Sequence, residues 1–199
     1  MTNDAIAIYA KRRTQYAIGK ALPISEAEVE ALIQQAIRLA PSSFNSQSSR
    51  AVILFGAAHE KLWNLTRETL RPLVPADAFA STDAKMSAFA AGAGTVLFFE
   101  DQDVIAELQQ KFPLYADNFP IFAEHSAGMA QFAVWTALAE AGIGASLQHY
   151  NPVIDEAVAK EWKLPASWKL RAQMPFGSSL KPFSEKTFIA DEVRFRTFR

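Results

Sequence analysis

Thirteen consecutive residues, 127–139 (AGMAQFAVWTALA), constrain this chain more than any other stretch, because Gln131 and Thr136 are their only polar members. The segment has helical length and carries no apolar stripe that one neighbour could cover. A helix that is apolar nearly all round needs protein on every side. It is too short and too polar, with Glu140 just beyond it, to span a bilayer. A central place in one core or a seam between two copies would cover it. The second is the easier arrangement, so a symmetric homodimer is expected.

The 199 residues suit a single domain, 1–199, which buries roughly 70% of its unfolded surface. Lys and Arg number 20 against 21 Asp and Glu, a net charge of -1 that argues against a coat for nucleic acid. With no cysteine, thiolate metal clusters, disulfides and cysteine nucleophiles are excluded. Residues 1–20 lack an apolar block of signal-peptide length, so a soluble, cytoplasmic protein is expected.

Helices are read at 3–12, at 26–39 behind the capping box Ser25-x-x-Glu28, at 58–70, 76–91, 101–111, 121–141 and 152–161. Short β-prone runs at 51–55, 95–99, 145–149 and 168–175 read as strands. The fold class is therefore α+β, one sheet covered by helices. The tail from Thr187 alternates loosely between Val193, Phe195, Phe198 and the arginines 194, 196 and 199.

Gly92-Ala-Gly94 and Gly142-Ile-Gly144 lack the third glycine of a dinucleotide fingerprint and lie between helix and strand in the wrong order. His59, His125 and His149 are dispersed, so no metal site is expected. Two segments look chemically deliberate. Lys11-Arg12-Arg13-Thr14 offers planar donor forks to a phosphate or an oxygen-rich ring, or else is a solvated basic helix end. Residues 40–49 (APSSFNSQSS) can meet a heterocycle with donors and acceptors, or else form an ordinary turn.

Arg12-Arg13-Thr14, the serine-asparagine loop, Gly142-Ile-Gly-Ala-Ser-Leu-Gln-His149 and a basic C-terminal stretch, in that order, resemble the FMN-dependent nitroreductase family. PSSFNSQSSR, RRTQYA and SLQHYNP are most similar to its subgroup of yeast fatty-acid-repression-mutant and nitroreductase-homologue proteins. The resemblance implies a nitroreductase-like fold with a central mixed, mainly antiparallel sheet flanked by helices, in an intertwined homodimer. It implies that Arg12, Arg13 and Thr14 hold the phosphate, ribityl and pyrimidine region of FMN. Pro41, Ser42, Ser43, Asn45 and Gln47 would line the flavin from the partner chain, and Leu147, Gln148 and His149 would form the strand near flavin N5. Lys186 would bind the phosphate, with Lys181 as runner-up.

The sequence departs from that pattern in places. Tyr16 stands where the family often has a lysine near flavin N1, and Lys20 is a candidate replacement. His149 and Tyr150 replace the usual acidic residue and glycine, and His149 could contact substrate or pack over the ring. Phe112, Tyr115, Phe119 and Phe122 could roof the flavin or pack at a dimer surface.

The implied activity is an NADH- or NADPH-dependent oxidoreductase in which flavin carries the chemistry and a small nitroaromatic or quinone-like molecule accepts the electrons. No side chain is assigned a catalytic role. A flavin- or ligand-binding regulatory protein of the same fold is the alternative reading, and a nucleic-acid binder using Arg194, Arg196 and Arg199 is a third. No membrane partner is expected.

Overall fold

The computed structural model describes residues 3–199. Strand β3 (Gly94–Asp101) is buried along its whole length and organises the molecule. Successive side chains on a strand point to opposite faces. Val96 and Phe98 accordingly join one core cluster, while Leu97 and Phe99 join another. A strand covered on both faces reads as an unbroken apolar run, as Thr95-Val-Leu-Phe-Phe99 does.

Its antiparallel neighbours are β2 (Ser49–Phe55) and the long β5 (Trp168–Ser179). The sheet order is β1-β5-β3-β2, where β1 is Ile18–Gly19, and β4 (Gly144–Ala145) also pairs with β5. All strand pairs are antiparallel, and the parallel contact is an isolated bridge between Thr14 and Ala145. The fold is α+β, as expected.

Helix α1 spans Asp4–Lys11, α2 Glu26–Leu39, α3 Gly56–Leu70, α4 Phe79–Ala90, α5 Gln102–Lys111, α6 Phe119–Glu140, α7 Asp155–Trp162 and α8 Asp191–Arg194. Val29 and Ile33 of α2 and Val134 and Leu138 of α6 pack on the Val96 face. Leu62 and Trp63 of α3, Met86 and Phe89 of α4 and Val158 of α7 pack on the Leu97 face. Each such side chain contributes about 1.5–3 kcal/mol on burial, so truncating Leu97 to Ala would cost about 2–5 kcal/mol. Ser25 caps α2 as read: its hydroxyl accepts from Glu28 N at 3.3 Å, and the Glu28 carboxylate accepts from Ser25 N at 2.9 Å.

Three elements differ from expectation. The strand read at 145–149 is two residues long, and Gln148 continues it as a single bridge to Gln173. The helix read from 152 starts at Asp155, after a turn. Strand β1 carries too little pattern to be read, and it pairs with β5 because Gly177 has no Cβ to collide with the Gly19 carbonyl.

The chain itself covers only part of α6. Ala127, Ala130, Val134 and Leu138 are buried, whereas Met129 and Phe132 remain exposed. They line an open apolar groove of about 730 Å³ with Ile8 and Tyr9 of α1 and Leu32 and Leu39 of α2. No helix among the described residues is long and apolar enough to cross a membrane.

Candidate functional site

Helix α1 ends at Lys11, and the backbone turns extended at Arg12. The next residues run to the sheet, where Gln15 N donates to Ala145 O at 2.9 Å. That turn divides the basic cluster. Lys11 pairs with Glu140 at 2.8 Å on the surface. Arg12 and Arg13 face a cavity of about 610 Å³, which they line with Thr14, Tyr16, Lys181 and Lys186.

The Arg12 guanidinium lies 4.4 Å from the centroid of the Trp135 ring. Burial, followed by the charge of Arg13, lowers its pKa from the usual arginine value. Arg13 donates to the Ser184 carbonyl. Gln15 Nε2 donates to Lys181 O at 2.7 Å and Leu180 N to Ala17 O at 2.9 Å, which folds the start of the tail back over the arginines. Four cationic side chains and the Thr14 hydroxyl thus surround one cavity whose lone lining carboxylate is Glu185. This donor set fits a phosphate and its attached polyol. Both lysines considered for the phosphate reach the cavity, whereas Lys20 pairs with Glu60 at 2.6 Å and does not line it.

The bridge at Thr14–Ala145 brings the adjoining strand to the same end of the sheet. Gln148 and Gln173 exchange both backbone hydrogen bonds, at 2.7 and 2.9 Å. In such an antiparallel pair the flanking residues turn their N–H groups away from the partner strand. The N–H groups of Leu147 and His149 therefore point away from β5. Leu147 packs on the core and the His149 side chain is exposed. The buried Gln173 accepts from Tyr150 N at 2.7 Å through Oε1, bracing the segment with a side chain that no local motif singles out.

The serine-asparagine loop lies elsewhere. Pro41, Ser42 and Gln47 line a cavity of about 230 Å³ with Ile37, Arg38 and Ser126, and it shares no lining residue with the basic cavity. Ser42 Oγ accepts from Gln47 N at 2.9 Å, Ser42 O from Asn45 N at 3.0 Å, and Ser126 Oγ from Ser43 N at 3.3 Å. Phe44, Asn45 and Gln47 have φ of 57°, 49° and 49°. Such strain, of order 1–3 kcal/mol per residue, persists where the surroundings over-determine it. Phe44 supplies one anchor by packing against Phe112 and Phe119, at centroid distances of 4.9 and 5.4 Å.

The other anchor is polar. Glu100 accepts hydrogen bonds from the Ser48 and Ser49 hydroxyls. Arg50 donates to Gln47 O at 2.6 Å and pairs with Asp101 at 3.1 Å. Glu100 was legible only as an acid ending an apolar strand. Of the four aromatics proposed as a roof, Phe119 is 2% exposed and packs with Ile105 and Ala123, while Tyr115 stays open to solvent.

Residues 9–178 match the model of the nitroreductase family. The nitroreductase homologue HBN1 of Saccharomyces cerevisiae is 40% identical over 196 residues, 96% of this chain and 97% of that protein. The structure of nitroreductase CinD from Lactococcus lactis superposes with a TM-score of 0.91 at 49% identity, covering 98% of this chain and all of that one. CinD was solved with chloramphenicol and with 4-nitrophenol. At 17% identity and a TM-score of 0.72, with both chains covered in full, the fold is also that of a Desulfovibrio desulfuricans structure that holds FMN.

Proposed function

The chain belongs to the nitroreductase family, and from that premise we propose that it is a cytoplasmic, homodimeric, FMN-dependent oxidoreductase that takes electrons from NADH or NADPH. Its acceptors are small nitroaromatic or quinone-like molecules; the two nitroaromatics chloramphenicol and 4-nitrophenol, with which CinD was solved, support the first class. The carrying observation is the cavity where Arg12, Arg13, Thr14, Lys181 and Lys186 converge, with Thr14 bridged to Ala145 of the strand that leads into Leu147–His149. FMN supplies hydride acceptance and donation when bound. The protein's part is to hold, orient and enclose.

Arg12 and Arg13, with Lys186 or Lys181, neutralise the phosphate, and Thr14 donates to the polyol. The N–H groups at Leu147 and His149 offer donors to one edge of the ring. Pro41, Ser42, Ser43, Asn45 and Gln47 stand apart from that site within one chain: Pro41, Ser42 and Gln47 line a separate cavity, and none of the five lines the basic one. A second copy supplies them. It covers the apolar groove of Tyr9, Leu39, Met129 and Phe132 and gives a surface to the tail, where Phe188, Val193, Phe195 and Phe198 are exposed.

Purified protein should be yellow, release FMN rather than FAD on denaturation, elute at twice the chain mass and oxidise NADH or NADPH when a nitroaromatic is added. A colourless monomer that takes up no added FMN overturns the reading.

A further inference from the structure

Among the described residues, one buried carboxylate stands directly beneath the serine-asparagine loop, and the proposed chemistry leaves it without a role. Glu100 is 1% exposed near the end of β3. Its Oε2 accepts from Ser48 Oγ at 2.5 Å and its Oε1 from Ser49 Oγ. Neighbouring residues of a regular strand face opposite ways. Two consecutive hydroxyls meeting one carboxylate therefore mark the place where the loop ends and β2 begins. The backbone agrees, since Asp101 N donates to Ser48 O at 3.0 Å.

We propose that Glu100 is a positioning residue: by gripping Ser48 and Ser49 it fixes the outgoing end of loop 41–47 in the strained form that presents Ser42, Ser43 and Asn45. The Arg50–Asp101 pair holds the adjoining Gln47 carbonyl. Phe44 and Ser126 hold the middle of the loop, so Glu100 completes the frame at its C-terminal side. That the loop serves flavin rests on the function proposed above; that Glu100 holds the loop does not.

The grip depends on charge state. An ionised carboxylate accepts at both oxygens, whereas the protonated acid must donate from one and so releases or reverses one serine bond. Burial raises the Glu100 pKa from the ordinary carboxylate value, opposed by the Ser48 and Ser49 bonds and by the charges of Arg171 and Arg50. Arg50 of β2 is already paired with Asp101, and Arg171 of β5 with Glu124 of α6. Lys169, opposite Glu100 in the β3–β5 register, is exposed, and Arg38 of α2 lines the cavity beside Ser49 and Arg50. A raised folded-state pKa favours folding below the unfolded value and is a cost once pH rises through the folded value. Ionised Glu100 is thus a cost to global stability, and its loss should loosen the loop without weakening the fold.

The test uses full-length protein with and without FMN: wild type, Glu100→Gln, and the pair Ser48→Ala with Ser49→Ala. Amide hydrogen exchange of residues 43–49 in the apoprotein should speed up by about tenfold or more in both variants, since each loses at least one hydrogen bond to a charged group. The melting temperature should be unchanged or higher for Glu100→Gln. FMN affinity of the wild type should fall more steeply on acidification than that of Glu100→Gln, which is weaker and keeps only the pH dependence of the phosphate itself. Wild-type loop exchange in both variants overturns the inference. Faster loop exchange with unaltered FMN affinity upholds it and overturns instead the assignment of the loop to flavin.

Discussion

The guanidinium of Arg12 stacks on the ring of Trp135, 4.4 Å from its centroid, which joins the end of α1 to the middle of α6. A partly buried arginine with a second arginine beside it is otherwise free to swing into solvent. The indole face holds it over the cavity at a gain of about 0.5–2 kcal/mol. Trp135→Ala should weaken FMN binding to the apoprotein by that amount, and Trp135→Phe by less, because a smaller aromatic face remains. Arg12→Ala or Arg13→Ala should cost about 1.5–3 kcal/mol, the range for hydrogen bonds to charged groups. Titration calorimetry of the apoprotein checks all four, and unchanged affinity in both arginine variants would mean that they serve as a helix end and no more.

Tyr16 lines the basic cavity, whereas Lys20, four residues on, is engaged with Glu60 at 2.6 Å. The position where the family often carries a lysine therefore has no positive replacement from Lys20. Tyr16→Lys should raise the two-electron midpoint potential of the bound flavin, since a cation there favours the anionic reduced ring. A partly screened charge is worth about 1 kcal/mol, or roughly 20 mV for two electrons. Lys20→Ala should leave the potential where it was. Spectroelectrochemistry of the two variants decides, and a fall in the Tyr16→Lys potential counts against this placement of the ring.

Much of the fold was legible in advance because it is written in periodicity. The α2 capping box, the apolar runs of β2 and β3 and the apolar α6 each announce themselves within a few residues. Elements defined by distant partners were not. Ile18–Gly19 is a strand because Ser178 and Ser179 lie beside it, and residues 147–149 are held to β5 by the single bridge at Gln148–Gln173. The candidate site divides the same way. Arg12, Arg13 and Thr14 are contiguous, so local sequence finds them, and Lys186 was reached through resemblance. Trp135, Glu100 and Gln173 act through tertiary contacts of side chains that read as core or strand residues. Phe44 is the hardest case, since nothing about phenylalanine suggests a left-handed backbone.

His59 is buried between α3 and the sheet, where its Nδ1 lies 2.8 Å from Thr95 Oγ1 and Trp63 Nε1 donates to the same hydroxyl at 3.0 Å. Desolvation is the largest influence and lowers its pKa from the usual 6.5, against opposing contributions from the Ala90 and Phe89 carbonyls and Glu60. A depressed folded-state pKa means that the unfolded chain binds the proton first. Stability is then fully present above the unfolded value near 6.5 and falls as pH drops from there toward the folded value. Denaturant titrations between pH 7.5 and 5 should show this decline, and His59→Gln should flatten it while lowering stability at pH 7.5 by about 1–3 kcal/mol through the altered buried bonds. An equal slope in the variant would assign the decline to other groups.

The separation of the two cavities gives the sharpest test of the assembly. Arg12 and Asn45 serve different halves, one beside the basic cavity and the other on the strained loop near Ser126. If each flavin sits between Arg12 of one chain and Asn45 of the partner subunit, Ser43→Ala and Asn45→Ala should each slow NAD(P)H-dependent nitroreduction at saturating FMN. Small misplacements of reacting groups can cost about a hundredfold in rate. The dimer itself should survive, because its area comes from the apolar groove around Phe132 rather than from the loop. An Arg12→Ala chain mixed with an Asn45→Ala chain then forms heterodimers in which one site carries both lesions and the other neither. Activity should rise above either parent homodimer as the chains exchange, toward about a quarter that of the wild type, because random exchange makes about half of the dimers mixed and each mixed dimer has one intact site. No recovery in a verified heterodimer would mean that both residues serve a site within one chain, or that neither touches the flavin.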